Sequence, residues 1–267
     1  MKSGFESYNA TLVKNSGCIS HPIFIGTPHL GVCRMEWALA RFGQIIPCNW
    51  GYKGAFYKIP DCSPMNYLIP DAQNYICGGF LKTEAEWLLF IESDNLIPPD
   101  CFLRLNEYVR KKEVPIVSGL YFTKSIPSEP LVYRGRGNGY YTDWKIGDLV
   151  WVDGVPTGAL LIHRSIIQAL WNESEEYTVG TDIVRRVFAY PRTIWHDPEV
   201  GLETTSGTTD LEWCSRIIVE NIFYKAGWKE FQEKRFPFLI DTNIFVGHID
   251  MDGAVYPPQY EKAKWEK

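Results

Sequence analysis

The sequence predicts an α/β protein: a mixed, mostly parallel sheet flanked by helices, with a small β-hairpin subregion. Three observations carry that reading. Trp87-Leu88-Leu89-Phe90-Ile91 is an uninterrupted apolar run closed by a turn at Pro98-Pro99. Such a run reads as a strand buried on both faces, the habit of a central parallel strand. Its carboxyl end carries Glu92 and Asp94, and open α/β sheets bind their ligands at that end of their strands. Glycines punctuate short aromatic and β-branched runs over residues 130–151, which reads as a hairpin or meander.

The other elements follow in order. Residues 1–20 read as an N-terminal extension. Ile23-Phe24-Ile25 is the first strand, and Gly26-Thr27-Pro28-His29 is a tight loop at its end that can approach a ligand closely. Residues 32–42 read as a helix with Met35, Leu39 and Phe42 on its apolar stripe and Gly43 as its stop. Residues 44–50 read as a second strand and 61–70 as loop. A helix over 71–80 turns Tyr75, Gly79 and Phe80 toward the sheet and feeds the central strand. Residues 100–112 form a helix capped by Asp100, with Leu103, Leu105, Tyr108 and Val109 against the sheet and Arg110, Lys111 and Lys112 complementing its C-terminal dipole. Residues 114–122 and 155–162 are buried strands, and 165–171 a short helix. Residues 172–206 lack periodicity and read as a long loop that is partly mobile without ligand. Residues 208–225 are one helix, with Leu211, Cys214, Ile218 and Ile222 as its buried stripe. Residues 239–247 are a last strand ending at His248, and the polar tail wraps the surface.

Composition bounds the function classes. Hydrophobic content of 45% and charged content of 22% belong to an ordinary globular protein. The net charge of −5 argues against nucleic acid as a partner. An acidic protein that binds a phosphorylated substrate needs a cation to invert the local sign. The 7 Cys include no CxxC pair, so free thiols in a reducing compartment, the cytoplasm or the host cytoplasm for a viral chain, are expected. The N-terminus has no apolar signal core, and no stretch reaches the roughly 18 apolar residues of a membrane span.

Five features line up along the chain: Gln73-Asn74, Glu92-Ser93-Asp94, Asp153 to Gly158, Thr209 to Cys214, and Val246-Gly247-His248. In that order and spacing the chain resembles the GT-A fold glycosyltransferases, in particular the broad family-2-like group that includes bacteriophage members. The resemblance covers residues 23–248. It implies a Rossmann-like GT-A domain over 21–250, followed by a tail over 251–267. It implies that Glu92-Ser93-Asp94 is the DxD motif, with Glu in the first position and Glu92 near the ribose. Asp94 and His248 would then bind the metal, Mn²⁺ or Mg²⁺. Thr27, Pro28, Asn49, Gln73, Asn74, Glu92 and Ser93 would line the nucleotide-sugar site, and Thr157 and Gly158 the sugar pocket. Asp210 would be the catalytic base of an inverting transfer. The partners implied are a nucleoside-diphosphate sugar and an acceptor hydroxyl on a glycan, protein, lipid or modified DNA.

The residues support this chemistry independently. Hard oxygen ligands at a strand end suit a divalent ion holding a phosphate, and such an ion stabilises the charge that develops on a diphosphate leaving group. Asp210 and Glu212 open a helix two residues apart, so at about 100° per residue they cannot share one pocket. Asp210 lies closer to the buried stripe, and the helix N-terminus favours its ionised form. Rival readings are weaker. His248-Ile249-Asp250 could begin a non-haem iron triad, but no His follows it. A sugar nucleotidyltransferase needs a Gly-rich basic loop where Gly26-Thr27-Pro28-His29 stands. A non-catalytic nucleotide- or glycan-binding module on the same fold is the live alternative, separated by its lack of sugar turnover.

Overall fold

The computed structural model describes residues 23–29, 31–50, 63–134, 140–191, 194–196, 203–205 and 208–266. The expected N-terminal extension, and the part of the expected mobile loop at residues 192–193, 197–202 and 206, lie outside them. In chain order the elements are β1 (Ile23–Gly26), α1 (Met35–Phe42), α2 (Ile69–Leu81), β2 (Trp87–Ile91), β3 (Asn95–Leu96), α3 (Cys101–Lys111), β4 (Ile116–Leu120), β5 (Leu149–Val152), β6 (Ala159–His163), α4 (Arg164–Glu173), β7 (Glu176–Val179), β8 (Asp182–Arg185), β9 (Ile194–His196), β10 (Glu203–Thr205), α5 (Thr209–Val219), α6 (Ile222–Lys225), α7 (Lys229–Gln232), β11 (Phe238–Phe245), β12 (Gly247–Ile249), β13 (Val255–Tyr256) and α8 (Gln259–Lys262).

The central sheet has the order β1-β2-β6-β4-β11-β5. β1, β2, β4 and β11 run one way, and β6 and β5 run against them. The sheet is therefore mixed and mostly parallel, flanked by helices. β2 is buried along its whole length. Its side chains alternate between two cores, as a pleat of period two demands. Leu88 and Phe90 join Ile76, Phe80, Ile166 and Trp213 from α2, α4 and α5. Trp87, Leu89 and Ile91 join Phe102, Leu105 and Val109 of α3 on the other face. Each such side chain contributes roughly 1.5–3 kcal/mol, as an upper bound.

Several sequence expectations need correction. α1 presents the opposite face: Trp37 and Arg41 are buried, whereas Met35 and Leu39 are 71% and 67% exposed. Polar handles explain the rotation. The Trp37 indole N–H donates to the Glu92 carbonyl at 2.8 Å, and the Arg41 guanidinium lies over the Phe42 and Phe102 rings. Residues 44–50 are not a sheet strand. The Gln44 amide donates to the Ala40 and Pro98 carbonyls and holds this stretch against the start of α3 as an extended loop. Asp100 does not cap α3 with its side chain, which pairs with Arg104 instead, and Leu103 faces solvent while Phe102 is buried. Tyr75 stacks on Tyr67 rather than facing the sheet. The 208–225 helix breaks at Asn221, whose φ of 56° is left-handed, so Ile222 belongs to α6. In α5 Trp213 and Ile217 are buried beside the expected Cys214, whereas Leu211 and Ile218 are only half-buried.

Within the glycine-punctuated stretch Tyr133 bridges Tyr140 and then Gly154, both antiparallel, the pairing of a meander. Its last segment, β5, closes one edge of the central sheet against β11. The separate hairpin is β7–β8, inside the stretch read as loop, with Gly180 (φ 62°) at its turn. The polar tail is held to the rest of the fold by Trp265, which stacks on Trp144 at 4.4 Å. No helix among the described residues is long and apolar enough to cross a membrane.

Arg164 fastens the entrance to β2. Its guanidinium donates to the carbonyls of Leu81, Thr83 and Ala85 at 2.7, 2.8 and 2.9 Å, satisfying the C-terminal end of α2 and the turn beyond it. A lysine cannot reproduce that planar fork. Arg164→Lys should lower unfolding free energy by roughly 2–3 kcal/mol, the worth of the lost charged hydrogen bonds, read by urea denaturation. A midpoint unchanged from the parent would show that the fork carries no stability.

Candidate functional site

The site is built from the point where β2 stops. The Glu92 amide donates to the Gly158 carbonyl at 3.1 Å, which locks the residue after β2 to the loop ahead of β6. That loop can come so close because residue 158 has no side chain: a methyl there would lie 2.6 Å from the Tyr121 ring and collide with the Asn95 amide. The Gly158 N–H in turn donates to the Tyr121 hydroxyl at 3.0 Å. Thr157 is thereby delivered to the acid, and its hydroxyl donates to Glu92 Oε1 at 2.7 Å. Behind it, the Gln73 amide of α2 donates to Thr157 Oγ1 at 3.2 Å.

A second sheet, β13-β12-β3, closes the other side. It sets His248 directly opposite Asn95, and the Ile249 N–H donates to the Asp94 carbonyl at 2.8 Å. His248 Nδ1 is 2.8 Å from the Phe122 carbonyl, an acceptor, so Nδ1 carries a proton and Nε2 faces the site. Nε2 is 3.2 Å from Asp94 Oδ2. The same oxygen accepts from Lys124 Nζ at 2.8 Å. Glu92, Ser93 and Asp94 line a cleft of about 90 Å³ together with Pro28, His29 and Tyr67.

The electrostatics ties a third acid to this pair. Burial pushes the Glu92 carboxyl up to about 7, and the charges of Asp94 and Asp210 add to the shift. Burial alone would raise Asp94 too, but the His248 hydrogen bond and the Lys124 ammonium bring it below the usual carboxylate range. Asp210, at the N-terminus of α5, is raised above its ordinary value by burial, which outweighs the helix-end stabilisation expected for it. Its carboxylate accepts from the Thr208 hydroxyl and the Leu211 N–H. The Tyr121 hydroxyl is pushed well up, first by burial and then by the charges of Glu92, Asp210 and Asp94. Glu212 turns elsewhere, toward Arg216 at 4.0 Å.

Of the residues the sequence singles out, Glu92, Ser93 and Asp94 line this cleft, Gln73, Thr157, Gly158 and His248 are joined to them by the hydrogen bonds above, and Asp210 is linked to Glu92 through its charge. Thr27 and Pro28 stand at the end of β1, the strand beside β2, with Thr27 buried and Pro28 on the cleft. Asn49 and Asn74 are engaged elsewhere. Asn49 donates to Asn106 of α3 at 2.8 Å. Asn74 is fully buried and clamps the Phe188 backbone on both its N–H and its carbonyl, with Tyr177 beside it. Lys124, Tyr121 and Asn95 were missed. The first two follow β4 and carried no motif. Asn95 is wholly buried, and neither atom of its amide has a hydrogen-bond partner among the described residues; Gln73 Oε1 is likewise unpartnered. Orphaned buried amides mark a place where a ligand or water completes the bonding.

The divalent ion implied by the resemblance fits this set poorly. Asp94 and His248 supply one oxygen and one nitrogen, and no group of three or more His, Cys, Asp or Glu able to hold a metal occurs among the described residues. Glu92 is turned into Thr157, and the Asp94 oxygen facing His248 already holds an ammonium.

No protein-family model and no curated protein matches the chain. Among solved structures 47 chains match. One is the crystal structure of A197 from STIV, at 12% identity and a TM-score of 0.51, covering 88% of this chain and 88% of that one. At that identity the likeness is one of fold.

Two measurements test the geometry. Gly158→Ala should cost roughly 1–3 kcal/mol of stability, as overpacking does, and calorimetric unfolding equal to the parent would mean the loop yields freely. Glu92 is raised from an ordinary 4.5 to about 7, so its neutral form is the one the fold favours. Its contribution is fully present below about 4.5 and is lost as pH rises through about 7. Glu92→Gln keeps the acceptor for Thr157 and removes the titration. Its stability relative to the parent should therefore improve between pH 5 and pH 8, by at most about 3 kcal/mol. Parallel stability curves would contradict this.

Proposed function

We propose that this protein is a glycosyltransferase of the GT-A type, moving a sugar from a nucleoside-diphosphate sugar to an acceptor hydroxyl with inversion. One observation carries the reading: Glu92 and Asp94 line a cleft at the carboxyl end of β2 and the charge of Asp210 reaches Glu92, three acids in the order that the resemblance gives to donor binding and base. The mixed α/β sheet and its likeness in fold to a solved structure are compatible with it.

In this reading the nucleotide lies along the ends of β1 and β2, against Pro28 and the Glu92-Ser93-Asp94 wall. Glu92, raised to about 7 by burial, keeps a protonated form near neutral pH that donates a hydrogen bond to a sugar hydroxyl as a charged acid could not. Thr157 and Gly158 floor the sugar pocket, and the unpartnered Gln73 Oε1 and Asn95 side-chain amide offer acceptors and a donor to polar groups. The acceptor oxygen bonds to the anomeric carbon as the bond from that carbon to the diphosphate breaks. The electron pair of the broken bond leaves on the diphosphate oxygen, and the acceptor's proton passes to Asp210. A carboxylate raised by burial is a stronger base than one in water.

The test is a screen of UDP-, GDP-, TDP- and CMP-sugars by thermal shift, followed by product formation with a panel of acceptors. Asp210→Asn should keep donor binding and lose roughly 10²- to 10⁴-fold in transfer, the worth of a general base. Glu212→Gln should change the rate little. A product that retains the anomeric configuration, or an Asp210→Asn enzyme of near-parental rate, would remove Asp210 from this role. Stabilisation by a donor without turnover on any acceptor would favour the binding-module alternative.

A further inference from the structure

We propose that Lys124 is the cation of this site, and that its ammonium takes the place of a divalent metal ion in holding the donor's diphosphate. This rests on the glycosyl-transfer reading above. Glu92 and Asp94 line the cleft and the charge of Asp210 reaches Glu92, so a diphosphate cannot approach unless a cation inverts the sign. Lys124 Nζ is 2.8 Å from Asp94 Oδ2 and 3.9 Å from Asp250 Oδ1. Its side chain is 27% exposed and that of Asp94 37%, so the pair is open to an incoming anion. An ammonium has three N–H donors. Asp94 takes one, which leaves two for phosphate oxygens.

The position of Lys124 is built into the fold. The loop that carries it closes on itself: Thr123 N–H donates to the Glu129 carbonyl at 2.9 Å, Glu129 N–H returns to Thr123 Oγ1 at 2.9 Å, and Leu131 N–H donates to the Tyr121 carbonyl at 3.0 Å. The Ser128 N–H is held by the buried carboxylate of Glu261 at 2.8 Å. A lysine on so tethered a loop behaves as a fixed charge, not as a drifting surface residue. Asp94 and His248 then serve as its orienting partners. As the bond between the anomeric carbon and the diphosphate oxygen breaks, the electron pair stays on that oxygen, and the ammonium compensates the charge.

The experiment measures binding of UDP, GDP and inorganic pyrophosphate by calorimetry, in EDTA and in MnCl₂. It uses the full chain and its Lys124→Met and Lys124→Arg variants, with circular dichroism confirming their folds. The parent should bind at least one diphosphate in EDTA, and Mn²⁺ should change the affinity little. Lys124→Met should bind roughly 10- to 100-fold more weakly in EDTA, the worth of hydrogen bonds to a charged group. Lys124→Arg should keep most of the affinity. Equal binding by the parent and Lys124→Met in EDTA would overturn the inference. Parental binding that requires Mn²⁺ would overturn it too, while leaving the glycosyl-transfer reading intact. Failure of every diphosphate to bind under both conditions would overturn both.

Discussion

A carboxylate cannot follow five apolar side chains into a dry core. That constraint sets the end of β2. Trp87 to Ile91 alternate between two cores and are fully buried. Glu92 follows them directly, so the chain must leave the sheet there. β3 begins three residues later and needs a partner, which β12 provides, and that pairing is what sets His248 beside Asp94. The loop ahead of β6 must fit against the same turn, and a residue with any side chain at position 158 could not. The functional cleft is thus the place where the packing problem of the central strand is resolved.

Three acids near one another would repel, and the structure stabilises each differently. Glu92 is pushed toward its neutral form. Asp94 remains charged beside an ammonium and an imidazole. Asp210 is shielded by a hydroxyl and a backbone N–H. In the proposed reaction these environments would let three carboxyl groups of similar intrinsic acidity serve as a hydrogen-bond donor, a counter-ion and a base. Separating pKa values by environment is a recurrent way for one site to perform opposite proton tasks.

Elements whose signal is continuous hydrophobicity were legible in the sequence: β1, β2 and β11 lie close to where the apolar runs placed them, and α3 within a residue. What hid was whatever depends on a single polar contact. The face of α1 is chosen by the Trp37 N–H and the Arg41 guanidinium, which a hydrophobic stripe does not register. The break before α6 is one left-handed residue, Asn221. The direction of β6 could not be read, since a run buried on both faces looks the same in either sense. The β7–β8 hairpin lacks a strong apolar alternation, and Gly180 was its one local marker. In the site, acids and glycines at strand ends were legible by position. Lys124 was not, because it meets Asp94 across 30 residues of chain. Asn49 and Asn74 misled for the opposite reason: an amide bonds as readily to structure as to a ligand.

Glu261, in α8, is buried and holds the backbone of Ser128, 133 positions earlier. Ser128 belongs to the loop that aims Lys124 at Asp94. The tail therefore works as a tether on the site's charge balance. Loss of α8 would remove the side chain that holds the Ser128 N–H, so a helix far along the sequence bears on the charge beside Asp94.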